Sequence, residues 1–186
     1  MVLGWIIAGV GALLVLWLII TYNRFIRLEN GVDNSWAQID VQLKRRADLI
    51  PNLIETVKGY KAFEKEVLEN VTKARAGMMG ALQAGDRTGA MQQEGFLEQA
   101  LGRLFAVAEA YPDLKANTNF LQLQDELTHT ENKVAFARQA YNDAILHFNN
   151  AVEQFPGNMI AGMFNKREKP MLAIPEADRA VPRVQF

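Results

Sequence analysis

The first twenty residues, Met1 to Ile20, carry no charged side chain, and no other feature restricts the structure of this chain as much. A helix of about 20 apolar residues crosses the roughly 30 Å hydrocarbon core of a bilayer. Leu, Ile, Val and Trp dominate this stretch. Trp5 and Trp17 stand toward its two ends and Tyr22 lies just beyond, as amphipathic rings do at a membrane–water interface. A cleaved signal peptide needs a basic start, a shorter apolar core and a small-residue cleavage site. Met-Val-Leu-Gly at the start and Ile19-Ile20-Thr21-Tyr22 at the end supply none of these, so 1–21 reads as a retained transmembrane anchor.

Arg24 and Arg27 follow the anchor, with Lys44, Arg45 and Arg46 further on. The positive-inside rule then predicts that the following domain is cytoplasmic. Gly4, Ala8 and Ala12 recur every four residues, which puts small side chains on one helix face. Two such faces can approach closely, so these residues are candidates for self-association in the membrane. The same spacing also arises by chance, because Gly and Ala are common in spanning helices.

Past Asn23 the chain reads as a soluble protein. Its formal net charge of −1 gives no global attraction to nucleic acid. With no Cys, disulfides, thiolate metal sites and lipid attachment to Cys are excluded. The dominant pattern is a 3-4 spacing of apolar residues, the mark of helices packed on helices. Val32, Trp36, Ile39, Leu43, Ile50, Leu53, Val57, Tyr60, Val67, Val71 and Ala74 keep this phase, interrupted only by Arg46 and Glu64. The stripe predicts one helix over about 22–76, bent near Asp48 to Pro51 where proline removes a backbone hydrogen bond. Glycines punctuate Gly77 to Gly95, which reads as a loop or frayed end. A second helix is expected over about 90–110, stopped at Tyr111-Pro112. A third is expected over about 119–155, with Asn117, Thr118 or Asn119 as its cap and Pro156-Gly157 as its stop. The tail, 158–186, is expected to open with a short helical turn. No alternating strand pattern competes. The fold class is therefore all-α: an N-terminal transmembrane helix, 1–21, then an elongated antiparallel helical bundle or coiled coil over 22–157.

Signals for chemistry are sparse. His129 and His147 lie about 27 Å apart by helix rise, too far to share a metal within one chain. The sequence contains no phosphate-binding glycine loop, no nucleophile elbow and no kinase set. Lys44-Arg45-Arg46 fits an anionic ligand, but Asp40 and Asp48 lie one turn away and can neutralise it. Arg46 falls on the apolar stripe, where burial without a partner is costly. Glu131 or another carboxylate on a neighbouring helix is its expected partner.

Long motifs then match a family. They include Tyr22-Asn23, the run from Ser35-Trp36-Ala37-Gln38 through Arg45-Arg46-Ala47-Asp48-Leu49-Ile50-Pro51-Asn52-Leu53, and Glu55-Thr56-Val57-Lys58-Gly59-Tyr60. Others are Glu109 to Ala116 around Tyr111-Pro112-Asp113, Glu126-Leu127, Thr130-Glu131-Asn132, Arg138-Gln139-Ala140-Tyr141-Asn142 and Phe155-Pro156. Over nearly its whole length the chain resembles the bacterial LemA family, departing mainly in 77–95 and the tail. The resemblance implies a single-pass protein of the bacterial inner membrane with a soluble helical bundle and no known enzymatic activity. Some relatives look like lipoproteins, which puts the same domain on the side opposite to the one the charges indicate. Without Cys, this chain is not lipidated that way.

These readings converge on a non-catalytic, membrane-anchored scaffold that needs no cofactor or metal. Its expected partners are the lipid bilayer, further copies of itself and another envelope protein, and not nucleic acid. Arg46, Asp48, Asn52, Glu131, Arg138 and Asn142 are the polar residues of the matched motifs, candidates to fix bundle register or form a partner surface. A second reading is a membrane-remodelling or lipid-organising assembly that uses an amphipathic stretch near Tyr22 to Arg27.

Overall fold

The structure is a computed structural model that describes residues 1–60 and 63–173. Its elements are α1 (Val2–Lys58), α2 (Lys65–Gln83), α3 (Arg87–Ala108), α4 (Pro112–Lys115), α5 (Thr118–Glu153) and α6 (Gly157–Met163). The described residues contain no strand, and the fold is all-α. Contacts divide the chain into two compact units, with the divisions falling inside α1 and α5.

The first unit holds Met1–Ala37 and Ala137–Met171. In it α1 and α5 run antiparallel: Phe25 meets Phe148 and, further along α1, Trp36 meets the earlier Tyr141. Phe25, Val32, Tyr141, Ile145, Phe148 and Ala151 are buried. The apolar start of α1 is uncovered, and α1 is long and apolar enough to cross a membrane. The stop at Pro156-Gly157 leads into α6, whose Ile160 and Ala161 join the core. A side chain at Gly157 would put its Cβ 2.5 Å from the Ala151 carbonyl oxygen, so glycine permits the close return of the chain. Beyond α6 the chain is tied down. Lys166 and Lys169 both reach Glu29, at 2.5 and 3.2 Å. The Asn149 side-chain amide donates to the Lys169 carbonyl and its oxygen accepts from the Lys169 N–H, both at 2.9 Å.

The second unit holds Gln38–Phe136 with Leu172. Four buried stripes build it. They run from Ile39 to Val57 on α1, Val67 to Met78 on α2, Ala90 to Ala108 on α3 and Phe120 to Val134 on α5. Within this unit too α1 and α5 are antiparallel, since Arg46 bonds to Glu131 while the later Tyr60 bonds to the earlier Asn117. The α2–α3 hairpin turns through Gly85, whose φ of +71° favours glycine. Asp86 then caps α3 by accepting from the Gly89 N–H at 2.8 Å. Asn117 is the cap of α5, accepting from Asn119 and Phe120 N–H groups.

Two sequence-based boundaries require correction. The helix expected over about 22–76 is two helices: α1 ends at Lys58 and α2 begins at Lys65. Gly59, with its low helix propensity, stands at the break. Val67 and Val71 keep the apolar phase, yet α2 runs back along α1, with Arg75 bonded to Ala47. A 3-4 stripe reports that residues are helical and buried. It does not report that two stretches belong to one helix. The stretch 77–95, expected as a loop or frayed helix end before the helix over about 90–110, is helical except around Ala84–Asp86. Each interior glycine costs a helix about 1 kcal/mol relative to Ala. Burial of Met78, Ala90 and Leu97 alongside these glycines offsets that cost. Gly77 also leaves room for Gln93, whose side chain occupies the place a Cβ would take.

Candidate functional site

Arg46 is the largest fully buried side chain among the described residues, 1% exposed in the middle of the α1 stripe. A guanidinium there must be paired, because an isolated charge taken out of water is strongly destabilising. Two carboxylates meet it. Its Nη1 donates to Glu94 on α3, and its Nη2 donates to Glu131 on α5 at 2.7 Å. Glu94 is 2% exposed, whereas the Glu131 side chain is 44% exposed and opens the cluster to water on one side. Arg46 Nε and, one turn earlier, Gln42 Oε1 are buried without a hydrogen-bond partner among the described residues. One cation thus ties three helices of the second unit together.

The expected Arg46–Glu131 pair is present, and Glu94 is the partner that sequence reasoning missed. The signal for it was available. Ala90, Glu94, Leu97, Leu101, Leu104 and Ala108 form one buried 3-4 stripe. Glu94 fell where the glycine-rich stretch 77–95 overlaps the helix expected over about 90–110, and a charged residue does not stand out as part of an apolar stripe. The neighbouring basic residues are also taken up by carboxylates: Lys44 pairs with Asp40 at 2.6 Å and Arg45 with Glu126 at 3.1 Å.

The other candidates are dispersed. Asp48 and Asn52 are exposed in the second unit. Asn52 lines an open depression with Thr56, Asn119, Gln122, Leu123 and Glu126. Arg138 is buried and Asn142 half-buried on α5 in the first unit, each engaged with neighbours. Gly4, Ala8 and Ala12 lie on the uncovered start of α1, with nothing within 4 Å of a Cβ built on Gly4. His129 and His147 both face solvent. The stretch Tyr22–Arg27 is not a free amphipathic face: Phe25 is buried and Tyr22 packs on Phe164.

The second unit also holds a concave site of a kind not expected from the sequence. A groove of about 510 Å³ runs between the end of α1 and α2, with Ile54, Tyr60, Phe63 and Leu68 on its walls. Lys58, Lys65, Glu69 and Lys73 rim it. Lys58 pairs with Glu55 and Lys65 with Glu69 at exposed positions, where such pairs contribute little. The described lining offers apolar surface and amines, with no imidazole beside a nucleophile. No three His, Asp or Glu among the described residues form a group that fits a metal ion.

The model of the LemA family matches residues 35–186. Protein LemA of Metamycoplasma hominis is 28% identical over 139 residues, covering 75% of this chain and 63% of that protein. Magnetosome protein MamQ 2 of Paramagnetospirillum magneticum is 23% identical over 167 residues, covering 77% of this chain and 61% of that protein. Magnetosome protein MamQ of Magnetospirillum gryphiswaldense is 22% identical with the same coverage. The chain therefore spans about three fifths of the length of the curated relatives it matches.

Proposed function

The chain belongs to the LemA family, and on that premise we propose that it is a non-catalytic, membrane-anchored helical scaffold that self-associates or binds another envelope protein. One observation within the first unit carries the reading. The same unbroken helix that leaves Trp5 to Leu16 uncovered goes on to pack Phe25 on Phe148 of α5 and to bury Val32. Apolar side chains on that scale favour lipid over water. A helix shared in this way makes the anchor part of the protein fold rather than a flexible tether.

In this reading Gly4, Ala8 and Ala12 supply the face through which chains meet in the bilayer. The Arg46 cluster fixes which helices pair, the best-attested use of a buried ion pair. Asp48 and Asn52 belong to the exposed surface open to a partner. The charges at Arg24 and Arg27 favour a cytoplasmic domain, which protease accessibility in intact cells tests directly. For the scaffold itself, the test is the mass of the full-length protein in nanodiscs, combined with cross-linking in cells. Oligomers or a captured envelope protein are expected. A clean monomer with no captured partner would overturn the reading.

A second reading, a membrane-remodelling or lipid-organising assembly, draws on the similarity to proteins named for the magnetosome. Imaging of liposomes carrying the protein tests it. Unchanged curvature and no ordered array would remove it.

A further inference from the structure

We propose that α6 is a second membrane contact: this short helix, with Phe155 just ahead of it, lies in the headgroup–acyl boundary of the bilayer that α1 crosses. The inference rests on the reading of residues 1–21 as an anchor. Position is the first argument. Phe164, which follows α6, packs on Tyr22 with ring centroids 4.6 Å apart. At the other end, a Cβ on Gly157 would lie 3.7 Å from the Phe25 ring. The helix therefore sits beside residues 22–25, within about one turn of the end of the apolar span. Cover on α1 begins even earlier. Trp17, Leu18, Thr21 and Tyr22, along one face, are half-buried in a stretch that is otherwise open. Whatever α6 leaves uncovered lies at the depth where the anchor leaves the hydrocarbon.

The second argument is what α6 leaves uncovered. It turns Ile160 and Ala161 inward. Met159 and Met163, one turn apart on its outer side, are 62% and 70% exposed, and Phe155 is 79% exposed. Large exposed apolar side chains favour a non-aqueous surrounding, and a helix lying in an interface buries its apolar face just below the headgroups. Charge agrees. Arg24 and Arg27 on α1 and Arg167 just after α6 are exposed at the same end of the unit, where guanidinium groups suit anionic headgroups. Lys166 and Lys169 turn the other way, to Glu29, and with Asn149 they hold the chain behind α6 in place. A helix of this length has little membrane affinity alone. Docked on the anchor, it needs none to reach its depth.

The absence of Cys makes single labels unambiguous. Leu13→Cys, Met159→Cys, Met163→Cys and His129→Cys would each carry a nitroxide on the full-length protein, in vesicles of phosphatidylcholine and phosphatidylglycerol. Collisions with oxygen, which concentrates in hydrocarbon, and with a nickel chelate, which stays in water, report depth. All four positions are exposed, so the labels do not enter the core. Labels at 159 and 163 are expected to lose nickel access and keep oxygen access, at a shallower depth than Leu13. Nickel access there equal to that at His129, with Leu13 still in lipid, overturns the interfacial placement and leaves the anchor standing. Nickel access at Leu13 as well overturns the anchor reading. Protection of 159 and 163 from both quenchers means that a protein surface, such as a second copy, covers α6, and it overturns the lipid assignment.

Discussion

Arg75 on α2 donates its Nε hydrogen to the carbonyl oxygen of Ala47 on α1 at 2.7 Å. Ala47 is the residue whose helical partner is missing. In an unbroken helix the N–H four residues later would bond to that oxygen, and residue 51 is a proline without one. Helix α1 nevertheless continues through Pro51 to Lys58. A neighbouring helix thus supplies the donor that the proline withholds, and a sequence feature that would weaken an isolated helix becomes a docking point between two.

This relationship predicts a coupling. Arg75→Met leaves a partly buried carbonyl without a partner and should cost about 1–3 kcal/mol. In a Pro51→Ala background the residue-51 N–H returns and satisfies Ala47, so the same substitution should cost less. Chemical unfolding of the wild type, both single variants and the double variant gives the coupling energy, expected at about 0.5–3 kcal/mol. Equal penalties for Arg75→Met in both backgrounds would show that the guanidinium is not serving that carbonyl.

The buried cluster makes an asymmetric prediction. Arg46→Met takes a cationic partner from the buried Glu94 and should cost about 3–5 kcal/mol. Adding Glu94→Leu should recover much of the loss, because a buried carboxylate that has lost its guanidinium costs more than an apolar side chain in its place. Glu131 is open to water, so Glu131→Gln should cost only about 1 kcal/mol or less. Thermal unfolding followed by circular dichroism ranks the three. A Glu131 penalty as large as that of Arg46 would mean that the exposed arm of the cluster, not the buried one, holds the helices.

The legible part of this fold is the part written in apolar spacing. Apolar 3-4 spacing locates most of the buried residues of α1 and α5, and the misfit of Arg46 pointed correctly to a carboxylate on another helix. What the spacing missed has physical causes. A strict 3-4 repeat drifts by about 20° per heptad on a straight helix. On α5 the strict repeat that starts at Phe120 and runs through Leu127, Val134 and Tyr141 to Phe155 therefore selects Ala144, half-buried, where the fold buries Ile145. Phe155 continues the stripe but is exposed, because α5 ends at Glu153. Glu94 was hidden by the glycines around it, whose local cost is outweighed by tertiary packing. The packing of α6 beside Tyr22 is a contact between distant parts of the chain, and no local pattern encodes it.

Two glycines near the end of the chain should respond oppositely to alanine. At Gly157 the added Cβ would meet the Ala151 backbone carbonyl at 2.5 Å, and backbone cannot swing aside. Overpacking of this kind costs about 1–3 kcal/mol. At Gly162, inside α6, nothing lies within 4 Å of the added atom, and Ala should raise stability by up to about 1 kcal/mol. Unfolding midpoints of Gly157→Ala and Gly162→Ala provide the comparison. Equal midpoints would mean that the chain does not return along α5 as closely as described.

Glu29 gives the strap behind α6 a pH dependence. The hydrogen bond from Lys166 is the main cause holding its carboxyl below the ordinary value of 4.5, with Lys169 adding to it and partial burial opposing. A carboxylate with a depressed folded-state pKa binds its proton more readily in the unfolded chain. Its contribution to stability is therefore fully present above the unfolded value and is lost as pH falls through the lower, folded value. At neutral pH, Glu29→Gln should lower the unfolding midpoint. As pH falls below about 4.5, the gap between wild type and variant should close, because protonation removes from the wild type what the substitution removes from the variant. Midpoints measured for both proteins from pH 7 to pH 3 decide it. A gap that stays constant over that range would mean that the lysines hold the tail without help from the charge on Glu29.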